Sequence, residues 1–121
     1  MTILKPEQIL QYRTELAEYP EAINALDAIE ECEGDIEVAT TLIASRSGES
    51  VLMSDSLLNN LVDRAREYLC KPENKDGWDD LKDVIDILKQ ILPAPAPLAV
   101  TCALKLSEIG LRNLCKAKTN S

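Results

Sequence analysis

The chain has 121 residues, 45% of them hydrophobic and 28% charged, with a formal net charge of −8, no His, no Phe, one Trp and three Tyr. The lack of His removes the commonest general base and a usual zinc ligand, and the excess of carboxylates repels nucleic acid and anionic membrane surfaces. An apolar set made almost wholly of Leu, Ile, Val and Ala suits helices packed side by side better than a sheet.

Six helical segments and no strand are read along the chain. The first runs from Pro6 to Glu18. Proline fits its opening position, and Ile9, Leu10, Arg13 and Leu16 fall at helical spacing beside Tyr12. Tyr19-Pro20 interrupts it, because the residue before a proline is pushed out of the α region. The second segment, Pro20 to Cys32, has Ile23, Leu26 and Ile29 on its inner face, with Ala22, Ala25 and Ala28 allowing close approach. Gly34 reads as the left-handed stop and Asp35 as the N-cap of the third segment, whose stripe is Ile36, Ala39, Leu42 and Ile43.

Ser45 to Ser50 reads as a loop. The fourth segment, Ser54 to Cys70, carries the cleanest amphipathic repeat: Leu57, Leu58, Leu61, Val62, Ala65, Tyr68 and Leu69. Lys71 to Gly77 is a polar turn. A fifth segment, Trp78 to Leu92, lines up Trp78, Leu81, Val84, Ile85, Leu88, Ile91 and Leu92, with Trp78 expected to pack into the core. Pro93 to Pro97 is a stiff connector. The sixth segment, Pro97 to about Lys116, is apolar on more than one side. Such a helix is either enclosed by neighbours or presents a face to a partner. A frayed tail is expected after Cys115.

Residues 17–45 read Ala17-Glu18-Tyr19-Pro20-Glu21-Ala22, Ala25-Leu26-Asp27-Ala28, Gly34-Asp35-Ile36-Glu37-Val38-Ala39 and Leu42-Ile43. This pattern resembles the ubiquitin-associated-type (UBA-like) three-helix module. The resemblance covers about residues 5–46 and implies a compact, protein-binding three-helix unit. Ala17 and Glu18 stand where the family carries Met and Gly, residues that help form its ubiquitin-binding surface. UBA-like modules also serve other partners, including translation factors and nascent-chain complexes.

The expected fold is therefore all-α, with about six helices. Residues 1–48 form an acidic UBA-like unit packed on a second three-helix unit, 49–121, in one compact domain overall. A six-helix bundle of the death-domain kind is the alternative by length and helix count. The charge is lopsided: residues 1–50 carry 11 acidic and 3 basic side chains, whereas residues 51–121 carry 10 of each.

Cys32, Cys70, Cys102 and Cys115 have no C-x-x-C spacing. They read as reduced, buried, small hydrophobes in a cytoplasmic protein. Pro72 to Gly77 with Asp83 faintly suggests a calcium loop, but Pro72 offers no ligand oxygen at its first position. No catalytic, cofactor-binding or metal-binding residues are expected, and no cofactor.

The expected function is a non-enzymatic protein–protein interaction module or small adaptor. Its partner would carry a basic surface, with neither nucleic acid nor membrane involved. The expected partner-binding residues are Glu18, Tyr19, Glu21, Leu42 and Ile43. Two alternatives are a self-associating scaffold, dimerising through the apolar sixth helix, and a small enzyme with a carboxylate-lined pocket.

Overall fold

A computed structural model describes residues 2–48 and 54–115 of the chain. Among these it contains six α-helices: α1 Pro6–Glu15, α2 Pro20–Glu31, α3 Ile36–Arg46, α4 Ser54–Leu69, α5 Leu81–Ile91 and α6 Ala96–Ile109. Two single turns of 3-10 helix follow α4 and α6, at Lys75–Gly77 and Leu111–Asn113. The only strand-like feature among the described residues is one isolated bridge between Ile3 and Asp35. The all-α class is as expected. The end of the expected loop at Ser50 and the tail from Lys116 lie outside the described residues.

The six helices fall where the apolar spacing places them, and the differences lie at their ends. The first helix closes at Glu15, three residues early, because Tyr19 N–H turns back to the Leu16 carbonyl at 2.9 Å ahead of Pro20. Leu10, assigned to the helical stripe, is 66% exposed, while Ile9 and Leu16 go inside. The fifth helix starts at Leu81 rather than Trp78. Asp80 is its N-cap, accepting from Asp83 N–H at 3.0 Å, while the Asp83 carboxylate accepts from Asp79 N–H at 3.1 Å. Two carboxylates thus satisfy backbone donors at the helix start, the Asp83 carboxylate reaching the residue before the N-cap. Trp78 is instead half-buried ahead of the helix, its indole N–H donating to the Leu69 carbonyl at 3.1 Å at the end of α4.

The sixth helix is cut short at Gly110, whose φ of +108° lies where L side chains rarely go. What remains of it, α6, is the hub of the fold, packing against α2, α3, α4 and α5. Leu98 to Leu104 are buried without a break, and Leu106 is buried beyond them. This explains the apolar residues on several sides of this segment: it is enclosed by neighbours from both halves of the chain. Each fully buried leucine contributes about 1.5–3 kcal/mol, so α6 carries a large share of the driving force.

Residues 2–5 form an extended strap laid across the α2–α3 junction. Leu4 N–H donates to the Gly34 carbonyl at 2.8 Å, and Ile36 N–H donates to the Thr2 carbonyl at 3.0 Å. Helix α2 ends in a Schellman arrangement: Gly34 N–H reaches the Ile29 carbonyl and Glu33 N–H the Glu30 carbonyl. The left-handed residue directly after the C-cap is Glu33, with φ +56°, and Gly34 at φ +89° follows it. Gly34 is needed for space as well as conformation, since a Cβ there would sit 2.3 Å from the Leu4 carbonyl oxygen. Asp35 caps α3 as expected, accepting from Val38 N–H at 3.1 Å.

The cysteines require a correction. Cys70 and Cys115 are joined in a disulfide, with Cα atoms 5.4 Å apart. The α5–α6 hairpin and Gly110 bring the chain back to the end of α4, which sequence spacing cannot show. Cys102 is buried as expected, whereas Cys32 is half-buried, and both are free thiols. No described helix is long and apolar enough to cross a membrane.

Candidate functional site

Glu18, Tyr19 and Glu21 sit at the α1–α2 junction, and α5 lies against them. Glu18 pairs with Lys82 at 2.7 Å and Glu21 with Lys89 at 3.3 Å. The Lys89 ammonium lies 5.4 Å from the Tyr19 ring centroid, and the Tyr19 hydroxyl donates to the Asp86 carboxylate at 3.4 Å. The three residues and α5 therefore form an internal latch. Ile43 is buried in the core, and Leu42 is half-buried against it. The five residues do not converge on one surface: three engage α5, and two belong to the α3 packing face.

Two concave features involve the first three helices. A hollow of about 410 Å³ is bounded by Asn24, Asp27, Glu31, Ile43, Arg46 and Pro97. Its charged groups answer each other, since Arg46 donates to both oxygens of Glu31 at 2.9 and 3.2 Å. That pairing holds the exposed Glu31 carboxyl below the usual carboxylate range.

A groove of about 480 Å³ opens between the strap, α1 and the C-terminal end of α2. Its floor is Leu4 and Ile9, both nearly fully buried, and its lip is the exposed Leu10. Arg13, Glu30, Glu33 and Gly34 border it. Arg13 is committed within the chain, at 2.8 Å from Asp27 and 3.4 Å from Glu30. The hydrogen bond to Asp27 raises its pKa further above an already high value. Glu33 is exposed and has no cationic partner among the described residues. The groove therefore has an apolar floor and a net acidic rim. Ile3 is 48% exposed, and its Cγ2 lies 3.3 Å from where a Cβ on Gly34 would stand, which extends the apolar surface across the strap.

Leu10 is the residue that sequence reading misplaced. Its signal was present: a leucine one residue beyond buried Ile9, and so on the outer side of the turn. The strap could not be foreseen, since residues 2–5 show neither helical nor alternating periodicity.

Among the described residues, no three His, Cys, Asp or Glu side chains converge in a way that could hold a metal ion. Comparison with known proteins finds no matching family model, no matching curated protein and no matching solved structure.

Proposed function

We propose that this protein is a non-enzymatic protein–protein interaction module whose docking surface is the groove between the strap, α1 and the end of α2. The observation that carries this reading is a large exposed leucine, Leu10, at the lip of an apolar floor made by Leu4 and Ile9. Exposed apolar side chains grouped around a concavity are what a partner's apolar anchor fills. The rim selects the partner's chemistry. Arg13 is neutralised internally by Asp27 and Glu30, and the acidic Glu33 remains, so the occupant is a short amphipathic segment with basic residues beside its apolar anchor.

The likeness of residues 17–45 to UBA-like modules supports a binding role. The groove replaces the α1–α2 junction as the docking site, because Glu18, Tyr19 and Glu21 are already engaged by α5. Self-association through α6 is disfavoured by the enclosure of that helix. Arginine pairing of Glu30 and Glu31 in the two hollows also favours binding over carboxylate chemistry. The proposed setting is the cytoplasm, where the Cys70–Cys115 bond would be transient rather than permanent.

The test is an NMR titration with a synthetic amphipathic leucine–lysine peptide of about a dozen residues, long enough for a helix-in-groove contact. Its leucine–glutamate counterpart serves as control. The expected result is that the basic peptide shifts the amides of Leu4, Leu10 and Gly34, that the acidic peptide does not, and that Leu10→Asp abolishes the shifts. Equal response to both peptides, or shifts centred on α5, would refute the proposal.

A further inference from the structure

We propose that Cys70–Cys115 is a thiol–disulfide exchange site, opened by a dithiol reductant, that clasps the C-terminal turn of the chain to the end of α4. The inference stands apart from the groove and does not depend on it.

Position is the first argument. Cys70 directly follows the last residue of α4, and Cys115 lies two residues beyond the 3-10 segment Leu111–Asn113. Both are half-buried, so a reductant approaches from solvent. The two remaining thiols make poor internal attackers. Burial pushes Cys102 up to about 12, and burial, with Glu31 and Asp35 nearby, also raises Cys32. The electrons must therefore come from outside the chain.

The second argument is what the bond holds. Beyond Gly110, Leu114 is the only buried residue among those described. Among the described residues the turn therefore rests on buried Leu114, half-buried Leu111, two backbone hydrogen bonds at Gly110 and the disulfide. The body beneath it is secured independently. Asn74 Nδ2 donates to the Tyr68 carbonyl at 2.9 Å, the Trp78 indole caps Leu69, and Leu98 to Leu106 anchor α6. Opening the clasp thus frees residues 110–115 and uncovers Leu114 and the end of α4, while the helical core persists.

The exchange balances simply. One thiolate of the reductant attacks either sulfur, forming a mixed disulfide, and the other cysteine leaves as a thiolate and takes a proton. The reductant's second thiol then resolves the mixed disulfide. Two electrons and two protons pass from the dithiol to the cysteine pair, and the reductant ends as its own disulfide.

The experiment uses the full chain, air-oxidised or treated with dithiothreitol. Alkylation under denaturing conditions, read by mass spectrometry, is expected to tag only Cys32 and Cys102 in the oxidised chain and all of the cysteines after reduction. Amide exchange in residues 110–115 is expected to rise roughly tenfold or more on reduction, while α2, α3 and α6 keep their protection. A Cys70→Ser/Cys115→Ser double variant should match the reduced chain and ignore dithiothreitol. If that variant does not fold, exchange in the reduced native chain still decides. Complete alkylation of the oxidised chain, unchanged exchange at 110–115 after reduction, or loss of protection throughout would each overturn the clasp.

Discussion

Lys105 Nζ of α6 stands 3.0 Å from Glu37 Oε2 of α3, and both side chains are largely withdrawn from water. Thr2 completes the arrangement. Its backbone N–H donates to Glu37 Oε1 at 2.7 Å, and its hydroxyl accepts from Lys105. One buried carboxylate thereby joins the N-terminal strap, the first turn of α3 and the central helix. Its placement at the start of α3 also suits the helix dipole.

Removing one member of this pair leaves the other charge desolvated, which costs more than the pair itself contributes. Lys105→Met is therefore expected to destabilise the fold by about 1–3 kcal/mol. Glu37→Gln should cost less, because its amide oxygen still accepts from Thr2 N–H. The double variant should cost less than the sum of the two singles. Urea denaturation of the three variants checks this. Additive effects would mean the pair is not coupled.

The same carboxylate sets an acid limb. Burial raises the Glu37 pKa, but the Thr2 N–H and Lys105 outweigh it, and the net shift is downward. Stability from a depressed carboxylate is fully present above its unfolded value near 4.5 and is lost as pH falls through the lower folded value. Urea midpoints should therefore drop below about pH 4.5, and less steeply in Glu37→Gln.

Tyr12 sets an alkaline limb. Its phenol is pushed up to about 12, first by burial, with Ser107 opposing and Glu108 adding to the rise. The neutral phenol is thus favoured in the fold. Its contribution is full below 10 and is lost between 10 and about 12. Tyr12→Phe should flatten stability across that window.

The end of α2 trades stability for a charged rim. Glu33 holds φ +56° without being glycine, a conformation that costs an L residue about 1–2 kcal/mol. Glu33→Gly should stabilise the chain by about 0.5–1 kcal/mol, after glycine's greater unfolded-state entropy is subtracted, while weakening the basic peptide's binding. Gly34→Ala should destabilise the chain. Its Cβ would collide with the Leu4 carbonyl, so the strap must lift, and hydrogen exchange at Leu4 and Ile36 should rise. Gly48→Ala meets nothing within 4 Å and serves as the conformational control, since Gly48 also has positive φ.

Helix periodicity carried most of the fold because burial tracks it closely. Leu26, Ile29, Leu58, Ile85 and Leu88 all fall on predicted inner faces and are all buried. The helix ends were less legible, since they depend on single polar groups. Asp80 outcompeted Trp78 as the start of α5 by capping Asp83 N–H, and Gly110 ended a segment whose apolar residues run on past it. The strap, the disulfide and the α5 latch share one reason for being hidden. Each joins residues far apart in sequence, and no local pattern encodes that geometry.

The lopsided charge has a partner inside the chain. Lys82, Lys89 and Lys105 of the balanced second half meet Glu18, Glu21 and Glu37 of the acidic first half. These pairs differ in burial, and so should their worth. Lys82→Ala breaks a solvent-exposed pair and should leave stability within experimental error, at low or high salt. Lys89→Ala removes the Glu21 ion pair and the cation over Tyr19 together, and should cost about 0.5–1 kcal/mol. Part of that loss should persist at high salt, because the ring contact is partly desolvated and screened less than an open ion pair. Urea titrations of both variants at low and high sodium chloride separate the two contributions. Losses within experimental error for both Lys82→Ala and Lys89→Ala would show that α5 is held by its apolar face alone, with Tyr19 and Glu21 free to engage something else.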